Sequence, residues 1–220
     1  MSADTLTPTT PTPSDPGASS PSVGTLASIA GRQLLVGLRF LLAMTVVLGI
    51  AYPLLVLGIG QLIAPAKANG SMVSVNGTTV GSSLIGQNFT GAKWFQSRPS
   101  AAGADGYDPT SSGGSNLAAD SAVLAKQVQD RRAAVAKADG VPESAVPPDA
   151  VTASGSGLDP DISLAYALIQ VDRVAKARGL SLAVVRNLVE SHVESKVLGF
   201  IGQGGVNVLE LNVAVDRLAG

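Results

Sequence analysis

A chain of 220 residues has room for one modest domain and additional segments. Its formal net charge is −1, its charged residues form no long run, and only 4% of its residues are aromatic, which together disfavour a nucleic-acid partner. Cysteine is absent, which excludes disulfides and thiolate ligands, and a single histidine leaves too few ligands to predict a metal site.

The N-terminal segment, residues 1–31, is predicted to be a disordered tail rich in Ser, Thr and Pro. Fifteen of the first 22 residues are of these three types. Such a composition buries too little apolar surface to offset the chain entropy that is lost on folding.

An apolar run follows this tail. Residues 40–63 carry no charge, and as a helix they would reach about 36 Å, against roughly 30 Å of membrane hydrocarbon. We therefore predict a transmembrane anchor region at residues 34–64, with the span itself at 40–63. Pro53 falls within the span, where a membrane helix tolerates it if a neighbour satisfies the freed carbonyl. The alternative is a cleaved signal peptide, but the run is longer than the roughly 7–15 apolar residues of such peptides.

The orientation of the anchor is predicted from the basic residues beside it. Arg32 and Arg39 precede the span and Lys67 follows it. The positive-inside rule then gives a cytoplasmic N-terminus and an extracytoplasmic domain at residues 65–220.

Alternating apolar and polar residues predict a β-hairpin directly after the anchor. Val73 and Val75 alternate with polar residues, and Thr78 and Val80 resume the pattern. The intervening Asn-Gly pair suits the two positive φ angles of a type I′ turn. The next segment, residues 90–116, is predicted to be a long loop, and a loop of this length inside a domain is typically functional or disordered.

Three helices and a strand are predicted in the second half of the chain. Gly and capping residues mark their ends. The first helix has apolar positions from Leu117 to Val135, Ser115 or Asn116 as N-cap and Gly140 as stop; the second covers residues 160–178, with Asp159 as N-cap and Gly179 as stop; the third follows Ser181; residues 206–211 form a strand that leads into a short helical turn. Strands and helices mixed without regular alternation predict an α+β fold.

Two Gly/Ser-rich segments raise the question of phosphate binding. Residues 151–163 contain two closely spaced glycines, but a P-loop also needs a Lys-Ser/Thr pair. Here Asp159 and Asp161 follow, and their carboxylates would repel a phosphate at a helix start. We interpret this loop and the turn at residues 112–116 as structural. The nucleotide-related candidates are Ser112, Gly113, Gly114, Ser154, Gly155 and Gly157.

Patterns typical of enzymes are missing from the sequence. There is no Gly-x-Ser-x-Gly motif, and His192 has no evident acid or nucleophile partner. We interpret His192 as an exposed helix residue and predict no catalytic residue.

Several motifs taken in order resemble one family. They are residues 80–87, 94–101, 112–117, 151–160, 170–175 and 206–212. Behind a single N-terminal span, this order is similar to the C subunit of the Kdp-type potassium-transporting ATPases of bacteria and archaea, over about residues 33–218. The chain departs from the family in its longer tail and at residues 118–120, where the family commonly has Gly-Pro.

The resemblance implies a function and partners. Members are non-catalytic subunits of a high-affinity, ATP-driven potassium uptake complex in the prokaryotic plasma membrane. They are needed for assembly and act as a catalytic chaperone that raises the ATP affinity of the P-type ATPase subunit. The implied partners are that subunit, a channel-like potassium-selecting subunit and a small single-span subunit. ATP is implied by the family only, and because the charge bias places the Gly-rich loops outside the cytoplasm, we expect its involvement to be indirect, through conformational coupling.

The partner-interface candidates come from the span and the long loop. Small residues let membrane helices approach closely, and an aromatic residue near an arginine is typical of interface anchors. The candidates are Thr45, Gly49, Gly58, Trp94, Phe95, Arg98 and Asn116. Two alternatives stay open. The first is that Trp94 is a core residue and not an interface residue. The second, which is independent of the first, is that the chain is a stand-alone, membrane-anchored extracytoplasmic binding module, which would need a pocket.

Overall fold

The computed structural model describes residues 22–194 and 204–219. The chain divides into two compact units, Met1–Gly60 and Gln61–Gly220. One long apolar helix precedes a domain of mixed helices and short strands, which confirms the predicted α+β class.

The N-terminal helix, Val23–Ile63, is long and apolar enough to cross a membrane. It consists of α1 (Val23–Val46), a π-helical turn (Val47–Ala51) and α2 (Tyr52–Ile63). The π turn lies just before Pro53, which has no N–H and whose ring would collide with the carbonyl one α-helical turn earlier. The wider turn, in which the N–H of Tyr52 donates to the carbonyl of Val47, is a recognised way to relieve such a collision.

The helix begins earlier than predicted. The Ser22 side chain accepts a hydrogen bond from the backbone N–H of Thr25 at 3.3 Å, as an N-cap does. Residues 23–31, predicted to be disordered, are therefore helical, because the Ser/Thr/Pro-rich composition ends at the cap and apolar residues follow it. Residues 1–21 of the predicted tail lie outside the described residues.

The predicted hairpin is confirmed. A short helix α3 (Pro65–Ala68) leads to β1 (Met72–Val75) and β2 (Thr78–Ser82), which pair in antiparallel register. Asn76 and Gly77 have φ angles of 51° and 78°, as a type I′ turn requires.

Residues 83–121 contain neither helix nor strand, and α4 (Ala122–Asp139) follows them. The N-cap is Ser121, whose side chain accepts from the N–H of Leu124 at 3.4 Å, so the prediction of Ser115 or Asn116 as cap is wrong. Asn116 has a φ of 52°, whereas an N-cap residue needs extended backbone. Gly140 ends α4 as predicted, with a φ of 68°.

The second predicted helix also starts later than expected. α5 (Leu164–Arg178) is capped by Ser163, not by Asp159. The chain around Asp159 is extended instead, because β3 (Asp161–Ile162) pairs antiparallel with β4 (Val206–Asn207). The Asp149 carboxylate accepts from both the N–H and the hydroxyl of Ser163, which fixes the start of α5. Gly179 ends it as predicted.

The C-terminal elements are α6 (Leu182–Ser191), which starts after Ser181 as predicted and is capped by it, and α7 (Val208–Ala219). The strand predicted at residues 206–211 is wrong beyond Asn207. The Asn207 side chain accepts from the N–H of Glu210 at 3.1 Å and starts α7 there. Leu211 and Val215 then lie four residues apart on a helix face and are fully buried.

The core of the second unit is built on α5. One face of this helix is buried and packs among α4, α6 and the loop segments. Core side chains include Phe95, Val151, Ile162, Tyr166, Val171, Val174, Val185, Val189, Val206, Leu211 and Val215. Phe95, a residue of the long loop, therefore packs with the helices in this core.

Candidate functional site

The segment around Trp94 is held by side chains of distant helices. Gln170 of α5 accepts from the N–H of Gln96 at 2.7 Å and donates to its carbonyl at 3.2 Å. Asn212 of α7 accepts from the N–H of Phe95 at 2.8 Å and donates to its carbonyl at 2.9 Å. Both amides are buried, so they replace the backbone partners that a strand neighbour would otherwise provide.

Arg173 of α5 also binds the backbone of this segment. Its guanidinium donates to the carbonyls of Ala92 and Trp94, both at 2.8 Å. It also forms an ion pair with Asp139, at the end of α4, at 2.7 Å, with both side chains at least nine-tenths buried. The polar residues Gln170 and Arg173 interrupt the apolar face of α5. That interruption is the sequence signal for their role, although residues 170–175 were singled out only as part of the family resemblance.

Trp94 lies half-buried between cationic side chains. The guanidinium of Arg178 is 4.4 Å from the ring centroid, and the Lys93 ammonium is 5.0 Å from it. The Phe89 ring is 6.0 Å away. Arg178 is itself fixed by Asp216 at 2.9 Å, so contacts within the chain already use much of the surface of Trp94.

Two other interface candidates are also engaged within the chain. Phe95 is completely buried in the core, so it is not available to contact a partner. Arg98 forms an ion pair with Asp159 at 2.7 Å and reaches the carbonyl of Thr152 at 3.3 Å. Asp159, predicted to cap a helix, thus links the long loop to residues 151–163.

The remaining interface candidates are exposed. Asn116 lies on the surface of the second unit, in left-handed backbone. Thr45, Gly49 and Gly58 lie exposed along the membrane helix, and the Thr45 hydroxyl donates to the carbonyl of Leu41 at 2.8 Å. Trp94, Phe95 and Arg98 thus lie in one segment that is engaged within the chain, whereas Asn116 takes no part in the hydrogen bonds described for that segment.

The two Gly/Ser-rich segments contact each other, and we name residues 112–114 and 154–157 the glycine contact. The N–H of Gly113 donates to the carbonyl of Ser156 at 2.8 Å, and the Ser112 hydroxyl donates to the same carbonyl at 3.0 Å. A Cβ at Gly157 would lie 2.7 Å from the carbonyl oxygen of Gly113. These glycines therefore permit two backbones to approach closely.

Ser100 and Tyr107 extend the glycine contact, and no role was predicted for either of them. The Ser100 hydroxyl donates to the carbonyl of Gly157 at 2.6 Å and accepts from the N–H of Tyr107 at 2.8 Å. The Tyr107 hydroxyl donates to the carbonyl of Arg98 at 2.6 Å. Burial raises the pKa of Tyr107 to about 12, so the phenol remains a hydrogen-bond donor at neutral pH.

The single histidine lies at the end of α6. The Nδ1 atom of His192 is 2.8 Å from the carbonyl oxygen of Leu188, and the residue is half-buried rather than exposed as predicted. Among the described residues, its side-chain hydrogen-bond neighbours belong to its own helix, since Ser191 is the other one, at 3.2 Å.

Comparison with known proteins identifies the family. The family model described as K+-transporting ATPase, c chain (KdpC) matches residues 34–217. The chain belongs to the KdpC family. The part matched by the model includes the apolar span, the Trp94 segment and the glycine contact.

Curated relatives agree with this assignment over most of their length. The potassium-transporting ATPase KdpC subunit of Kineococcus radiotolerans is 57% identical over 188 residues, which cover 86% of this chain and 95% of the relative. The KdpC subunit of Mycobacterium tuberculosis strain H37Rv is 50% identical over 188 residues, covering 85% and 99%. That of Nitratidesulfovibrio vulgaris is 55% identical over 170 residues, covering 77% and 86%. KdpC membership therefore rests on the anchor and the second unit together.

Proposed function

We propose that this chain is a non-catalytic subunit of a high-affinity, ATP-driven potassium uptake complex in a prokaryotic plasma membrane. It is needed for assembly and raises the ATP affinity of the P-type ATPase subunit as a catalytic chaperone. Its partners are that subunit, a channel-like potassium-selecting subunit and a small single-span subunit. The family match across residues 34–217 is the observation that carries this proposal.

The effect on ATP is proposed to be indirect. In the glycine contact, the N–H of Gly113 is bound to Ser156 and not free for a phosphate. The nearby charges also oppose a nucleotide, because Arg98 is neutralised by Asp159. Coupling through a shared conformational change then links this subunit to the nucleotide site of its partner.

Co-purification tests the subunit role. The chain is purified in mild detergent from its own membranes after growth at low potassium. We expect a channel-like protein and a P-type ATPase to co-elute with it in fixed ratio, and removal of this chain should raise the KM for ATP of the remaining ATPase. A chain that elutes alone, intact and folded, would contradict the proposal.

A photoreactive ATP analogue separates direct from indirect action. Under the indirect mechanism, the analogue labels the ATPase subunit of the assembled complex and not this chain. Labelling of this chain that excess ATP suppresses would overturn it. Because the sequence contains no cysteine, a Ser115→Cys variant tests topology with a membrane-impermeant maleimide, which should react in intact cells.

The alternative, a stand-alone binding module, has one observation in its favour. A cavity of about 340 Å³ lies beside the long loop. Its lining includes Asn88, Gln96, Arg98, Tyr107, Arg131 and Tyr166. Under this alternative the chain would elute alone and retain a small polar ligand in the cavity, which mass spectrometry of the purified chain would detect.

A further inference from the structure

We propose that Met72, Leu84 and Ile85 form a membrane-contact surface that lies in the boundary between lipid headgroups and acyl chains. The inference rests on the proposed membrane location and goes beyond it, because it assigns lipid contact to the folded domain as well as to the anchor. The three side chains are 57%, 61% and 36% exposed, respectively.

Hydrogen bonds connect this surface to the last turn of the membrane helix. The side-chain amides of Gln61 and Asn69 bind each other through two hydrogen bonds of 3.0 Å. The neighbouring Gly70 accepts from the Ser82 hydroxyl at 2.6 Å, and Ser71 accepts from the N–H of Ser83 at 3.0 Å. The segment that carries Leu84 and Ile85 is therefore bound, through Ser83, to the residues that directly follow the anchor.

The surface continues the apolar character of the anchor. Leu62 and Ile63, the last residues of α2, are 86% and 79% exposed. Met72 and Leu84 follow on the two paired chains that lead away from that end, since Met72 pairs with Ser82. A membrane that surrounds the end of α2 extends several ångströms further as the headgroup region.

The charge pattern favours lipid over a water-facing surface. Within residues 61–85 the one charged residue is Lys67, which is exposed on α3. A lysine just beyond the end of a membrane helix can extend its ammonium group to the headgroup region. Apolar side chains next to such a cation can then insert into the acyl boundary.

The test uses the full-length chain with single cysteines, which is clean because the natural chain has none. Leu84→Cys carries an environment-sensitive fluorophore in vesicles of phosphatidylethanolamine and phosphatidylglycerol, with or without brominated acyl chains. The matched control is Val123→Cys on α4, another exposed apolar residue of the second unit. Leu55→Cys in α2 reports whether the anchor is inserted.

We expect a blue-shifted emission and bromine quenching at positions 84 and 55, and neither at position 123. Lipid-like signals at position 55 with aqueous signals at position 84 would overturn the contact surface but leave the membrane location intact. Aqueous signals at both positions would overturn both. If the probe at position 84 became shielded only in the assembled complex, with no quenching by brominated lipid, the surface would belong to a partner protein and the proposal would fail.

Discussion

The glycine contact and the Trp94 segment are both irregular backbone, yet they are held in different ways. In the glycine contact, two chain segments bind each other directly, and the N–H of Gly113 meets the carbonyl of Ser156 at 2.8 Å. In the Trp94 segment, the backbone is bound by the buried side chains of Gln170, Asn212 and Arg173. One region depends on the absence of side chains and the other on their presence.

This difference explains which substitutions each region tolerates. In the glycine contact, Gly113 and Gly155 can be replaced because a Cβ there meets open space, whereas Gly157, and to a lesser degree Gly114, are sensitive because a Cβ would meet the facing backbone. In the Trp94 segment, each buried polar side chain serves two or more backbone groups, so its loss leaves several of them without partners. We therefore expect larger effects from the helices that hold the Trp94 segment than from the glycines.

The largest effect is expected from Arg173→Met. This change removes the donor to Ala92 and Trp94 and leaves the buried Asp139 carboxylate without its partner. Breaking a buried ion pair on one side typically costs about 3 to 5 kcal/mol. Urea denaturation of the full chain in detergent, followed by the fluorescence of Trp94, measures the change in the free energy of unfolding.

An exposed ion pair is the control for this prediction. Lys126 and Asp130 are 2.9 Å apart on α4 and mostly exposed. Lys126→Met should change the free energy of unfolding by less than about 0.5 kcal/mol. Equal losses in the two variants would mean that burial of the Arg173 pair has no importance for stability.

Asn212→Leu should follow in magnitude. The leucine has a similar size but leaves both backbone groups of the buried Phe95 unpaired. An unsatisfied buried polar group costs about 1 to 3 kcal/mol, and we expect about 3 kcal/mol for the pair. The same substitution at the exposed Asn187 on α6 should be nearly neutral, and a neutral Asn212→Leu would show that water or a shifted backbone satisfies Phe95.

Gly157→Ala tests the glycine contact at its crowded position. The residue has a φ of 68°, and an added Cβ would lie 2.7 Å from the carbonyl oxygen of Gly113 and 2.8 Å from Ala102. Strain of this kind costs about 2 kcal/mol. Gly113→Ala is the matched control, because an added Cβ there meets nothing within 4 Å. Thermal unfolding of the two variants should separate them clearly, and similar melting temperatures would contradict the account of the contact.

The sequence predicted elements whose signals are local. The Asn76-Gly77 turn, the start of α6 after Ser181 and the Gly140 and Gly179 stops each depend on a few adjacent residues. The errors arose where distant residues decide the outcome. Asp159 has the chemistry of a helix cap, but Arg98 binds it from 61 positions away.

The candidate site was predictable to the same extent. Its segments were identified from their Gly, Ser and aromatic residues, but their mutual contacts depend on the tertiary fold. Phe95 illustrates this, because its backbone N–H is bound by Asn212, 117 positions away. No periodicity in the sequence near Phe95 distinguishes a core aromatic residue from an interface residue.

The smallest change in the free energy of unfolding is expected from a substitution of Asp161, which lies on β3, outside both regions. It tests whether a polar residue elsewhere in the unit stabilises the fold or destabilises it. Burial raises the pKa of its carboxyl above the usual 3.8, and the nearby carboxylates of Glu194 and Asp159 act in the same direction. The folded state therefore binds this proton more tightly, so the stabilisation is complete below about pH 3.8 and is lost as the pH rises through the folded pKa. Asp161→Asn should raise stability near neutral pH by less than about 1 kcal/mol, and the gain should vanish on acidification.

Asp108→Asn is the control of opposite sign, because hydrogen bonds from Thr110 lower the pKa of Asp108. Urea denaturation between about pH 3.8 and neutral pH measures the free energy of unfolding of both variants. A difference for Asp161→Asn that did not change with pH would mean that the fold does not raise the pKa of the Asp161 carboxyl.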